Sequence, residues 1–358
     1  MRAVFTVPIL LLAAAAAFAE DPLVVLAASR TGRIEFFDAR LGALGVIGVK
    51  PQLESVTASP DGHRLYIAQE SEWTRNTCCG LYSLDLETRS MCFVAAPALF
   101  GAPSPDGNYL FTQGDRGVDV FDRALNRLPT MKAPGAYNLQ PSPDGQWLLG
   151  ITNAPKLSSL DIFDLKARAL VRRLPISPAP VTGAWAGDRF YLFAYSAHAG
   201  RGTGWLWNVR PEDTELAPGR IQLPDLHGGC HEPVLLMLAG APDRLFVAEA
   251  FGFKVDRRLA CPDAARGGVY VIQPSTGHVG LLAESVYVNR MAVTPDGRDL
   301  FALQSGGLGG NDLVHVDTRN GNMYRIELPS GDWNLALAHI PPALIPRGYV
   351  RAAVSGSR

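Results

Sequence analysis

The chain has 358 residues, with 33 Lys+Arg against 34 Asp+Glu for a formal net charge of −1; 47% of positions are hydrophobic and 19% charged. Low charge density with 36 Gly and 27 Pro excludes a charge-driven disordered chain and argues against a coiled coil or long-helix protein. Without a clustered excess of Lys and Arg there is no electrostatic reason to expect nucleic acid or an anionic membrane as partner.

Residues 1–19 read as a signal peptide: Arg2 is the positive start, Val4 to Ala16 is apolar apart from Thr6 and Pro8, and Ala17-Phe18-Ala19 is a small-x-small cleavage site. No later window approaches 18 uninterrupted apolar residues, so no membrane span is expected after cleavage and the mature chain should be periplasmic or secreted. In that oxidising setting the five cysteines, Cys78, Cys79, Cys92, Cys230 and Cys261, are permitted disulfides, and the odd count leaves at least one thiol over.

The mature chain opens on a strand, Leu23 to Ala27, and then repeats. Ser59-Pro60-Asp61-Gly62, Ser104-Pro105-Asp106-Gly107, Ser142-Pro143-Asp144-Gly145 and Thr294-Pro295-Asp296-Gly297 are turn motifs, with weaker copies around Asp188 and Asp243. Pro presets the first central dihedral, Asp bonds its own backbone, and Gly takes the positive φ. A short apolar strand follows each turn, from Leu65, Tyr109, Trp147, Phe190, Leu245 and Leu300. A third strand ending in Asp comes next in most copies, as in Val118 to Asp122, Leu160 to Asp164 and Leu313 to Asp317. A second turn and a fourth strand then close the unit. Four antiparallel strands in about 45 residues is the period of a propeller blade.

Six units plus the N-terminal strand predict an all-β, seven-bladed β-propeller. Trp333 to His339, a first strand without a unit of its own, is expected to pair with Leu23 to Ala27 and close the ring. The expected organisation is a signal peptide over 1–19, one propeller domain over 20–345 and a C-terminal tail over 346–358.

In such a blade the turn motifs emerge on one face, and the second-to-third and inter-blade connections on the other. Three second-to-third connections look enlarged, Gln69 to Gly80, Ser196 to Gly204 and Glu249 to Gly267, and one inter-blade loop joins them, Pro224 to Pro233. Their shared face gathers the candidate site: Glu72, Trp73, Arg75, His198, Arg201, His227, His231, Glu232, Glu249, Lys254 and Arg257. This mixture of imidazoles, carboxylates and cations suits a polar ligand; the alternative is a solvated loop surface whose long insertions are held by disulfides. Trp73, in a charged loop, suits ligand stacking or a subunit contact, whereas Trp147, Trp185, Trp205, Trp207 and Trp333 sit in or beside strands and read as core.

Cys230 and Cys261 fall in loops of the same blade and are expected to bridge. Cys78 and Cys79 could form a vicinal disulfide, or one of them could bridge to Cys92. The Leu86–Arg89 turn sets Ser83, not Cys79, opposite Cys92, which favours Cys92 as a buried free thiol. The run His227 to Glu232 carries ligand types for zinc or copper but lacks a helix to align them, and no metal is expected. No Gly-x-Ser-x-Gly elbow, Walker loop or haem motif occurs in the required context.

The turns and Val-x-Val-Phe-Asp strands resemble the bacterial YVTN-type β-propeller repeats over essentially the whole mature chain. The layout of the last blades, with Gly228-Gly229 before a strand, Asp243 to Val247, a charged insertion and Gly268 to Ile272, resembles the propeller subunits of periplasmic amine dehydrogenases. That resemblance implies a non-catalytic scaffold binding a partner subunit that carries a quinone cofactor, with no cofactor in this chain. A lactonase-like hydrolase using His and carboxylate groups of the same face is the alternative.

Overall fold

The computed structural model describes residues 21–50, 52–70, 79–95, 98, 100–152, 158–176, 182–198, 201–221, 235–250, 268–284, 288–305, 311–331 and 333–354. They form seven antiparallel sheets arranged as the blades of a propeller, and one 3₁₀ turn, Pro342–Leu344. No described helix is long and apolar enough to cross a membrane.

Blade 1 is built from both ends of the chain. Trp333–His339 is its innermost strand and pairs antiparallel with Leu23–Ser29, in register from Leu23 opposite His339 to Ser29 opposite Trp333. Arg33–Phe37 and Ala43–Gly48 follow outward. The expected closure is thus present, and His339 Nδ1, 2.7 Å from the Asp21 carbonyl, extends it beyond the ladder. Blade 2 comprises Leu53–Ala58, Arg64–Glu70, Cys79–Asp85 and Ser90–Ala95. Blades 3 to 7 repeat the pattern, with innermost strands Ala102–Pro103, Ala136–Pro141, Thr182–Ala186, Leu235–Ala241 and Val288–Val293.

The turn motif works through side chains as well as dihedrals. In blade 2 the Ser59 hydroxyl donates to Asp61 Oδ1 at 2.6 Å and accepts from the Arg64 amide at 3.0 Å, while Gly62 adopts φ 67° and its amide returns to the Ser59 carbonyl at 2.9 Å. Blade 3 repeats the arrangement through Ser104 and Asp106, and blade 7 through Thr294 and Asp296. The Asp that ends the third strand organises the next turn, as Asp85 does by accepting from the Glu87 and Thr88 amides.

Each blade is buried on both faces, so its middle strands are apolar almost without interruption. Val24, Leu26 and Ala28 pack on blade 2 against Leu65 and Ile67, whereas Val25 and Ala27 turn to blade 7 and meet Phe301 and Leu313. Seven apolar clusters result, one at each of the seven blade interfaces.

The segment after the seam is a strap. Ile340 and Leu344 are buried between blades 1 and 2, and Arg89 Nη2 donates to the Leu344 carbonyl at 2.7 Å. Gly348–Arg351 then adds a parallel strand to the outer edge of blade 1, and Ala353–Val354 does the same for blade 2. Part of the segment read as a tail therefore covers two outer edges whose unpaired amides and carbonyls would otherwise face water or another chain.

One connection departs from expectation. Ser196 to Gly204 is not an enlarged loop: the strands Arg189–His198 and Arg201–Val209 stay paired to their tips, with His198 opposite Arg201. Ladder hydrogen bonds satisfy the backbone there, so the small residues that read as a loop end the strands later than their composition implied.

Candidate functional site

On the face opposite the turn motifs, a pocket of about 190 Å³ opens where the innermost strands of blades 7, 1 and 2 begin. It is lined by Arg30, Leu53, Glu54, Arg290, Leu303, Gln304, Asn311, Gly331, Trp333 and Asn334. β-Bulges aim part of this lining. The register slips between Leu53 and Ser55 in blade 2 and between Val288 and Arg290 in blade 7, making Glu54 and Asn289 the extra residues at corresponding places. A bulge at a sheet end bends the strand and redirects a side chain, and here it places Glu54 in the mouth of the pocket.

The polar groups form one network across three blades. Arg290 Nε of blade 7 donates to Asn334 Oδ1 of blade 1 at 2.8 Å, Asn334 Nδ2 donates to the Glu54 carbonyl of blade 2, and Arg30 Nη2 meets Glu54 Oε1 at 2.8 Å. Trp333 is 7% exposed and donates its indole N–H to the Pro329 carbonyl at 2.9 Å, which fixes one wall. Asn311 donates to the same carbonyl at 3.3 Å. Gln304 keeps its side-chain Oε1 buried without a hydrogen-bond partner among the described residues, whereas the corresponding Gln69 of blade 2 donates to the Lys50 carbonyl at 3.0 Å. Two guanidiniums, one carboxylate and three amides in so small a volume suit a compact polar ligand bearing an acidic group.

None of these pocket residues was singled out as a ligand group from the sequence. Arg30, Glu54, Arg290 and Asn334 come from four separate strand ends with no contiguous motif; the only available signal was the closure itself, which brings residue 334 beside residues 54 and 290. Trp333 is core, as expected, and also a pocket wall. Glu72, Trp73, Arg75, His227, His231, Glu232, Lys254 and Arg257 lie outside the described residues, as do Cys78, Cys230 and Cys261. For His198, Arg201, Glu249 and Cys79 the backbone alone is described: His198 and Arg201 cap the long hairpin of blade 5, Glu249 is the penultimate residue of a strand of blade 6, and Cys79 starts one of blade 2. Cys92 is a free thiol opposite Ser83, as the register required, but it is half-buried rather than buried because it lies on the outermost antiparallel strand of its blade.

Several ionisable groups outside the pocket hold the blades together. Asp161, fully buried in the third strand of blade 4, accepts from Arg173 Nε at 2.6 Å, Arg173 Nη2 at 2.8 Å and Thr152 Oγ1 at 2.8 Å. Asp119 of blade 3 is held likewise by Arg127 and Thr130. Burial raises the Glu35 carboxyl above its ordinary value, and Arg33 at 2.9 Å only partly offsets this. His315 Nε2 lies 2.7 Å from Asp299 Oδ1, with its ring stacked between Phe301 and Tyr324. Asp299 directly follows the Thr294–Gly297 turn, so this His–carboxylate pair sits toward the turn face, away from the pocket. Among the described residues no three His, Cys, Asp or Glu side chains gather as a metal site.

No protein-family model matches the chain, and no curated protein matches it. Solved structures do. The periplasmic gluconolactonase PpgL of Pseudomonas aeruginosa aligns over 89% of this chain and 100% of its own at 15% identity, with a TM-score of 0.59. Hydrazine synthase of Kuenenia stuttgartiensis aligns over 78% of this chain and 96% of its own at 15% identity, TM-score 0.55. The β-propeller domain of the Trilobed protease of Pyrococcus furiosus, described as having an open velcro topology, aligns over 77% and 85% at 12% identity, TM-score 0.55. At such identities the likeness is one of fold, and the chain is a β-propeller closed by its own two ends.

Proposed function

We propose that this chain is an exported, non-catalytic β-propeller that binds a small polar ligand carrying an acidic group, or a partner segment of the same chemistry, at the mouth on its loop-rich face. The observation carrying this reading is the Arg290–Asn334–Glu54–Arg30 network, which spans three blades around a pocket of about 190 Å³. Export is inferred from the signal-peptide pattern of residues 1–19. A scaffold role for a quinone-bearing subunit, as the amine-dehydrogenase resemblance implies, would use the same face.

The test is calorimetric titration of the mature chain with a panel of small hydroxy and sugar acids. Binding of at least one acid, lost in an Arg290→Gln variant that still melts like the parent, supports the reading; a panel without binders refutes the small-ligand form. A hydrolase requires a histidine within hydrogen-bond reach of a carboxylate at this mouth, and His227 and His231 are its candidates. Turnover of a sugar lactone that disappears in His227→Ala or His231→Ala would establish catalysis and overturn the non-catalytic assignment.

A further inference from the structure

The turn face carries a second cleft, of about 490 Å³, between blades 4 and 5. Two half-buried indoles, Trp147 and Trp185, line it together with Asp144 of the blade 4 turn, Asp188 of the blade 5 turn, and Arg210 and Glu212 of the following turn. Trp185 is braced edge-on against Phe190, ring centroids 5.3 Å apart.

Comparing the six turn aspartates singles out one of them. In each of five, the carboxylate is engaged by a cation or an amide besides its own turn: Asp61 by Arg123 at 3.0 Å, Asp106 by Asn108 Nδ2 at 2.7 Å, Asp188 by Arg210 at 2.8 Å, Asp243 by Arg244 and Asp296 by Arg298 at 3.5 Å. Asp144 Oδ1 holds its turn, accepting from the Ser142 hydroxyl at 2.5 Å and the Gln146 amide at 3.0 Å, but Oδ2 has no partner among the described residues. Glu212, across the cleft, is exposed and carries no hydrogen bond or ion pair among those residues. Arg210, the cation in the lining, is paired with Asp188 through Nη2, while its Nε is buried without a partner among the described residues. The cleft therefore offers the open Oδ2 of Asp144, the unpaired carboxylate of Glu212 and two indoles, a combination that attracts a weakly hydrated cation through both charge and the aromatic quadrupole.

We propose that the Trp147–Trp185 cleft binds an organic ammonium group, either a free amine or the lysine side chain of a partner protein. This site lies on the opposite face from the pocket of the proposed function and does not depend on that reading. It is tested by calorimetric or NMR titration of the full mature chain with choline, with the uncharged isostere 3,3-dimethyl-1-butanol, and with Nα-acetyl-lysine methylamide. The expected result is saturable binding of at least one cation and none of the isostere. Asp144→Asn, which keeps the Oδ1 acceptor of the turn, and Glu212→Gln should each weaken binding at least tenfold. Asp106→Asn, at a turn whose second oxygen is already engaged, should leave it unchanged. Choline binding points to a free small cation, and binding of the lysine amide alone to a protein side chain. Equal binding of the isostere, absence of saturable binding by both cations, or unchanged affinity in both the Asp144 and Glu212 variants would overturn the proposal.

Discussion

Replacing Arg173 by Met tests how the blades tolerate buried charge. Asp161 is fully buried, and four hydrogen bonds hold it: two from Arg173, one from Thr152 at 2.8 Å and one from Ser159 at 3.3 Å. Met fills the space of the Arg stem but removes both charge-assisted bonds, leaving a carboxylate between blades with only hydroxyl donors. Breaking a buried pair in this way costs about 3 to 5 kcal/mol. The Arg173 side chain is 46% exposed, so water can enter where its head group was, which argues for the lower end, about 3 kcal/mol. At an unfolding entropy of about 2.1 cal/mol/K per residue, a domain of this length should melt about 4 °C lower. Asp161→Leu should cost less, because a half-exposed guanidinium left alone turns to solvent. The Asp161→Leu/Arg173→Met double variant should melt closer to Asp161→Leu than to Arg173→Met. Thermal unfolding of the three variants followed by circular dichroism gives the double-mutant cycle. An Arg173→Met protein within about 1 kcal/mol of the parent, or a double variant as unstable as the sum of the singles, would refute the assignment of Asp161 as a charge that depends on its partner.

Three further outcomes follow from particular contacts. A Cβ on Gly45 would strike the backbone carbonyl of Pro346, whereas one on Gly48 would meet only the movable phenol of Tyr349; limited proteolysis with mass spectrometry should therefore find residues 346–354 trimmed in Gly45→Ala and protected in Gly48→Ala. Glu35 has its pKa raised by burial, so the folded protein holds that proton more tightly than the unfolded chain. Its stabilisation is complete below the ordinary carboxylate pKa and is lost as pH rises through the raised value, and Glu35→Gln should gain melting temperature over the parent at pH 7 but not at pH 4. Asp296 has its pKa lowered, first by the Thr294 hydroxyl and then by the Arg298 amide, so its contribution is present above about pH 4 and lost as the solution is acidified. Thr294→Val should melt below the parent at pH 7, with the gap narrowing by pH 3.

The ring was legible in the sequence because its repeat is written in residues with narrow backbone roles. Gly62, Gly107, Gly145 and Gly297 sit at φ of 67° to 71°, where a side chain is strained, and the Ser or Thr three residues earlier uses its hydroxyl to hold the next strand. The orphan strand at Trp333 was legible for the opposite reason, since an innermost strand without a unit must complete another. The strap was not legible: Gly348–Arg351 makes parallel edge contacts along its backbone, and these leave no alternation of buried side chains in the sequence. The long hairpin of blade 5 was hidden because Ala, Ser and Gly carry little strand preference, so the ladder between Tyr195 and Gly204 has no compositional trace. The mouth pocket was not legible because it draws on no loop rich in His and charge. Its residues are instead bulges and first positions of strands, brought together by the ring itself.

That origin ties the pocket to closure of the propeller. Asn334 belongs to the strand supplied by the C-terminal part of the chain, and it both accepts from Arg290 of the preceding blade and donates to the Glu54 backbone of the next. The pocket is therefore complete only when Trp333–His339 is seated against Leu23–Ser29. A substitution that loosens the seam removes one wall of the pocket together with the centre of its network. Conversely, a ligand that bridges Arg290 and Arg30 adds a link across the blade that closes the ring, so it binds the closed ring and not the open one. By mass action such a ligand raises the melting temperature through the seam. Variants in the pocket then divide by mechanism: Arg290→Gln should lower affinity while leaving the ligand-free melt near the parent, whereas an Asn334 variant should lower both, because Asn334 holds hydrogen bonds to the blades on either side.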